Sequence, residues 1–224
     1  MRNYFDRQLE LLNEEMIQMG ALCEDAIALA AKALTERSKE LAGKVPAISS
    51  ALDQKERDVE DICLKLLLRQ QPVAGDLRQI SAALKMITDM ERIGDQAEDI
   101  AEIIGYLEDS PSEQCTLLSA MARSAVKMVT DSVDAYVKQD VALARAVIDH
   151  DDVVDSYFDQ LKNSLMTLIA AAPIEGSTAL DLLMIGKYFE RIGDHATNIA
   201  EWVIFSVTGV HKSAELNEKI DYVN

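Results

Sequence analysis

The sequence predicts an all-α protein built as two tandem, sequence-related three-helix bundles, and three observations carry that expectation. The first is a repeat. Glu91-Arg92-Ile93-Gly94-Asp95 returns unchanged as Glu190-Arg191-Ile192-Gly193-Asp194, an offset of 99 residues (91 to 190), and Ala97, Ile100, Ala101 and Glu102 return at that offset as Ala196, Ile199, Ala200 and Glu201. A fixed long period marks one structural unit used twice. The second is composition: apolar residues are 49% of the 224 and aromatics 5%, with 9 Gly and 4 Pro, which suits aliphatic helices and leaves little turn material for a many-stranded sheet. The third is spacing, since apolar residues recur in steps of three and four along nearly the whole chain.

Taken in order, Leu9, Leu12, Met16, Met19, Leu22, Cys23, Ala26, Ala30, Ala33 and Leu34 predict one long amphipathic helix from Phe5 to about Ala42, ended by Gly43 and Pro46. A second helix is expected from about Ile48 to Gln70, with Val59, Ile62, Cys63, Leu66 and Leu67 on one stripe. It stops before Pro72, because the residue preceding a proline is driven out of the helical region. The third runs from Val73 to about Glu108 and carries the first motif, and Asp109-Ser110-Pro111-Ser112 reads as a linker. The fourth and fifth are expected from Leu117 to about Tyr136 and from Val141 to about Ala171. After a break at Ala172-Pro173-Ile174-Glu175-Gly176, the sixth runs from Ser177 to about Val207 with the second motif. The division is residues 1–109 for the first bundle, 110–208 for the second and 209–224 for a tail without a convincing period.

A formal charge of -17 and a pI near 4.5 argue against a nucleic-acid partner, because phosphate backbones are bound by clustered Lys and Arg. Cations and basic protein surfaces fit better. Cys23, Cys63 and Cys115 are odd in number and far apart, which disfavours a disulfide framework or a thiolate zinc site and fits a reducing cytoplasm. No apolar run approaches the ~20 residues needed to span a bilayer, and Met1-Arg2-Asn3-Tyr4-Phe5-Asp6 leads into a charged helical pattern rather than a signal peptide. Membrane association is expected only peripherally, through partners.

At about 100° per residue, Glu91, Asp95, Glu98 and Glu102 share one helix face, while Met86, Met90, Ile93, Ala97, Ile100 and Ile104 share the opposite one. In the second copy Glu190, Asp194 and Glu201 keep the stripe, but Thr197 and Asn198 replace two acids, so weaker cation binding is expected there. Acids one turn apart repel by ~0.2 to 0.5 kcal/mol per pair, and a hard divalent cation offsets that well because carboxylate oxygens are its preferred ligands. The plain alternative is a solvated acidic face. The second and fifth helices add Glu56 with Glu60 and Asp151 with Asp155, aligned here as matching pairs. Gly94 and Gly193 cost ~1 kcal/mol each relative to Ala inside a helix, which points to close approach of a neighbouring helix rather than a hinge. Arg92 and Arg191 are expected to pair with nearby acids. His150, His195 and His211 lack zinc-protease or di-iron spacing, and no phosphate-binding loop or nucleophile elbow is present, so an enzyme is not expected. The rival from another class is a metal-dependent enzyme built on the clustered carboxylates.

These residues resemble the PhoU family of phosphate-signalling regulators along nearly the whole chain. Phe5-Asp6 with Leu9, Leu12, Met19-Gly20 and Ala33-Leu34 is similar to the family's opening helix. Arg69-Gln70-Gln71-Pro72-Val73-Ala74-Gly75-Asp76-Leu77-Arg78 is similar to its Arg-Gln-Pro-x-x-x-Asp-Leu-Arg turn, with one residue rearranged before the proline. Both Glu-Arg-Ile-Gly-Asp copies match its Glu/Asp-x-x-x-Asp signature. No second copy of the turn is recognisable, which leaves Asp76 and Arg78 outside the repeat. The resemblance implies tandem three-helix bundles whose acidic motifs hold metal clusters, of divalent or iron ions. It further implies a cytoplasmic negative regulator of phosphate-starvation signalling that links the ATPase subunit of the phosphate ABC transporter to a sensor histidine kinase. By position Glu91, Asp95, Glu190 and Asp194 carry over as metal ligands. Glu56, Glu60, Asp151 and Asp155 extend that set from the second and fifth helices, with Glu98, Asp99, Asn198 and Glu201 as further candidates. A homodimer is expected, and an accessory regulator of a different phosphate transporter is the nearer alternative.

Overall fold

A computed structural model describes residues 2–70, 72–107, 112–171 and 176–210. The described chain is helical throughout: α1 (Arg2–Glu36), α2 (Lys39–Ala42), α3 (Val45–Gln70), α4 (Ala74–Tyr106), α5 (Ser112–Lys138), α6 (Val141–Ala171) and α7 (Gly176–Thr208). The apolar stripes found in the sequence are the buried ones. Leu12, Met16, Met19, Cys23 and Ala30 on α1, Val59 and Cys63 on α3, and Met86, Met90, Ile93, Ala97 and Ile100 on α4 are all fully buried. The expected linker residues 109–111, the break residues 172–175 and most of the tail lie outside the described residues. Ser112 and Gly176, assigned to connections in the sequence, are instead the first residues of α5 and α7.

The single opening helix expected to reach Ala42 ends earlier, at Glu36, because Arg37 takes a left-handed φ of 52°. The amides of Arg37 and Ser38 then fold back onto the carbonyls of Leu34 and Ala33, which satisfies the last turn of α1. Ser38 restarts the chain as an N-cap, its hydroxyl accepting from the Leu41 amide at 3.2 Å. Pro46, expected to end a helix, sits in the first turn of α3, where its missing N–H has no intrahelical acceptor to lose. The second half repeats this junction. Gln139 has φ of 53°, Gln139 and Asp140 fold back onto Tyr136 and Ala135, and the Asp140 carboxylate accepts from Ala142 and Leu143 at 2.9 and 3.0 Å.

These junctions set the register between the halves on α3 and α6 at 102 residues (37 to 139), distinct from the 99 that relates α4 to α7. At that register the buried Val45, Leu52 and Val59 fall on the buried Val147, Val154 and Leu161. The alignment of Glu56–Glu60 with Asp151–Asp155 is therefore about two turns out. Asp53 is the counterpart of Asp155, and Ser49 that of Asp151. Because α3 and α6 are acidic along much of their length, charge alone does not fix register.

α1 packs on α3 and α4, α5 packs on α6 and α7, and the halves meet through α1 against α5 and α4 against α7. Their apolar side chains merge into one continuous core. α4 and α7 run antiparallel. The Arg78 guanidinium at the start of α4 donates to the Ser206 carbonyl at 3.3 Å near the end of α7, which gives Arg78 a place outside the repeat. Midway, the Asp89 carboxylate accepts from His195 at 2.9 Å and from the Asn198 amide at 3.3 Å.

Candidate metal centre

In the first half, one carboxylate from α3 and two from α4 converge. Single oxygens of Asp53, Glu91 and Asp95 all lie within 4.8 Å of one another, the one such trio among the described residues. Glu91 and Asp95 are a turn apart on the face opposite Met90, Ile93 and Ala97, so the core that buries one side of α4 aims the acids outward. Gly94 lies between them and lets α3 close in. A Cβ built there would stand 2.6 Å from the Leu52 side chain, and Leu52 precedes Asp53. The close-approach reading of this glycine therefore holds.

The electrostatics record the crowding. Burial raises the Glu91 carboxyl above its ordinary range, and Asp95, Glu56 and Asp53 raise it further against the opposing charge of Arg92. Burial, Asp53 and Glu98 raise Asp95 likewise. Taking protons is one response of clustered acids, and accepting a cation is the other.

The second half places Asp155 and Asp151 of α6 against Glu190 and Asp194 of α7. Burial, then Asp194, Asp155 and Glu190, push the Asp151 carboxyl up to about 6. Burial and Glu190 raise both Asp155 and Asp194. Gly193 makes room here too: a Cβ would lie 3.1 Å from an Asp151 carboxylate oxygen and 3.6 Å from Val154. The Lys187 ammonium, one turn before Glu190, bonds its carboxylate.

The remaining candidates are dispersed. Glu56 is half-buried beside Glu91 and accepts from the Thr88 hydroxyl at 3.2 Å. Glu60 is exposed on α3 and acts on Cys63. Glu98 is half-buried beside Asp95. Asp99 faces α7, raised by burial and by Asp95 and Glu102 and held back by Arg191. The Asn198 amide is engaged with Asp89, and Glu201 is half-buried on α7. Sequence reasoning missed Asp53. Its signal is the α1–α3 junction register, which makes it the counterpart of Asp155. It also missed the pairing of Asp89 with His195, since Tyr188 stands at the repeat position of Asp89 and no internal symmetry announces it.

The donors in both clusters are carboxylate oxygens carried by two helices each, a set that suits hard cations and does not suit soft ones. Such a fold and site define a class: an all-α tandem-repeat protein with an acidic carboxylate cluster in each half. The PhoU domain family matches twice, over residues 16–104 and 118–203. The chain belongs to the PhoU family. It is 33% identical over 219 residues to a phosphate-specific transport system accessory protein PhoU homolog of Clostridium acetobutylicum, covering 97% of this chain and 99% of that one. A homolog of the same description from Aquifex aeolicus is 37% identical over 186 residues, covering 83% and 84%. The crystal structure of PhoU from Pseudomonas aeruginosa superposes with a TM-score of 0.87 at 34% identity, covering 92% of this chain and 100% of that one.

Proposed function

We propose that this chain is an accessory protein of a phosphate-specific transport system and acts as a negative regulator, an adaptor without turnover that keeps phosphate-starvation signalling off when phosphate is plentiful. The observation that carries the reading is the family match in both halves, with the Glu-Arg-Ile-Gly-Asp motif in each. The partners in this reading are the ATPase subunit of the transporter and a sensor histidine kinase, and the adaptor works in the cytoplasm as a homodimer. Among the described residues no helix is long and apolar enough to cross a membrane, which suits contact with membrane partners through their cytoplasmic parts.

Divalent or iron ions belong to the same reading. Asp53, Glu91 and Asp95 would hold one site, with Glu56 and Glu98 adjacent. Asp155, Glu190, Asp194 and Asp151 are the counterpart set. A bound cation supplies positive charge on an otherwise acidic surface and ties α3 to α4 or α6 to α7. The chain itself supplies only oxygen donors at these places, and the His195 imidazole is engaged by Asp89.

Deletion of the gene is expected to make a phosphate-regulated reporter constitutive at high phosphate. Retention of full repression in the deletion strain overturns the regulatory reading. Capture of the transporter ATPase subunit and the histidine kinase by the tagged full chain separates this adaptor from a regulator of another transporter.

A further inference from the structure

The two acidic clusters are built on matching helices; beyond Thr197 in the place of Glu98, they differ at three positions whose differences act together. Where α4 has Thr88, α7 has Lys187 at the repeat offset of 99 residues. Thr88 uses its hydroxyl to hold Glu56, whereas Lys187 places a full positive charge on Glu190. Where α3 has Ser49, buried and uncharged, α6 has Asp151, and where α3 has Glu56, α6 has Phe158. The Lys187 ammonium also stands 5.8 Å from the centre of the Phe158 ring, so both helices hold it over the cluster. The field of Lys187 opposes the raising of Asp155 and Asp194 as well, which sets it among all three repeat-equivalent carboxylates.

Among the described residues the first cluster has no such resident. Arg92 acts on Glu91 without forming an ion pair with it. Lys55, the lysine on α3 nearest in sequence to Asp53, is turned to α1, where it donates to Glu15 at 2.6 Å and Gln18 at 2.9 Å.

The geometry points to Lys187 as a built-in counter-cation of the second cluster, a residue that reserves hard-cation binding for Asp53, Glu91 and Asp95 and makes the two halves unequal. This rests on the cation reading of the clusters given above. An ammonium among carboxylates repels an incoming dication and already satisfies one of its ligands, so removing it raises cation affinity. An affinity change of at least ~10-fold is expected for a unit charge a few ångströms from a dication near a solvated surface.

The test is calorimetric titration of the chelator-stripped full chain with MnCl2. The wild type is expected to show one tight class of Mn2+ sites, abolished by Asp53→Asn with Glu91→Gln. Lys187→Gln and Lys187→Thr, at a half-exposed helix position, are expected to bind Mn2+ at the second cluster at least ~10-fold more tightly than the wild type, with helicity unchanged by circular dichroism. Lys187→Arg should behave as the wild type, and adding Asp151→Asn to Lys187→Gln should remove the gain. Isotherms of both Lys187 variants that superpose on the wild type overturn the inference. If only those variants bind Mn2+, Lys187 stands as the counter-cation of the second cluster, while the cation reading of the first cluster and the reservation of cations for it both fall; if no form binds, the whole inference falls.

Discussion

Asp151 shows how one side chain couples the acidic surface to stability. Its carboxyl is pushed up to about 6 from an ordinary 3.8 by burial and by four neighbouring acids, Asp194 first among them. Between those values the folded chain keeps a proton that the unfolded chain has lost. By linkage, the stability it contributes is complete below pH ~3.8 and is lost as pH rises through about 6. The melting midpoint of the chelator-treated wild type is expected to fall more steeply between pH 4 and 6 than that of Asp151→Asn. Equal slopes would remove Asp151 from the account. The sequence disclosed that Asp151 was acidic and on a helix. It did not disclose that Asp194 and Glu190 crowd it, because those two lie on a helix about forty residues further along the chain.

At the level of the helix, a glycine is informative only through what stands over it. Of the three glycines in α4, Gly94 and Gly105 have opposite surroundings. Gly94 is buried under Leu52, while a Cβ at Gly105 would meet nothing within 4 Å. Alanine gains intrinsic helix propensity at both positions, ~1 kcal/mol at the interior Gly94 and less at Gly105 in the last turn, but only at Gly94 must the fully buried Leu52 be displaced, a strain of ~1 to 3 kcal/mol. Urea denaturation should therefore show Gly105→Ala more stable than Gly94→Ala by ~1 to 3 kcal/mol. A difference near zero would mean that Leu52 yields freely. The repeat of Gly94 at Gly193 made close approach legible from sequence, and periodicity gave the helices themselves. The break after Glu36 was hidden because a left-handed cap at Arg37 carries no glycine to mark it, and Pro46 misled because proline both ends helices and begins them.

Across the whole molecule, the two halves are near copies joined by contacts that are not copies. The buried Asp89 and His195, with the exposed Asn198, bind α4 to α7 through polar groups, and Arg78 closes one end of the same antiparallel pair. Two-fold repetition explains the fold, and departures from it distinguish the clusters: Lys187 against Thr88, Asp151 against Ser49, Phe158 against Glu56. The repeat and the family resemblance were legible in the sequence because both reside in short runs of contiguous residues. The trio on two helices was only partly so, since Asp53 joins Glu91 and Asp95 through packing between α3 and α4. The central claim is that this trio is a cation site rather than a solvated acidic face. Elemental analysis of the full chain purified without chelator tests it most directly, comparing the wild type with Asp53→Ala, Glu91→Ala and Asp95→Ala combined. Bound divalent or iron ions are expected in the wild type, with a lower metal-to-protein ratio in the variant; the same metal content in both would contradict the cation site.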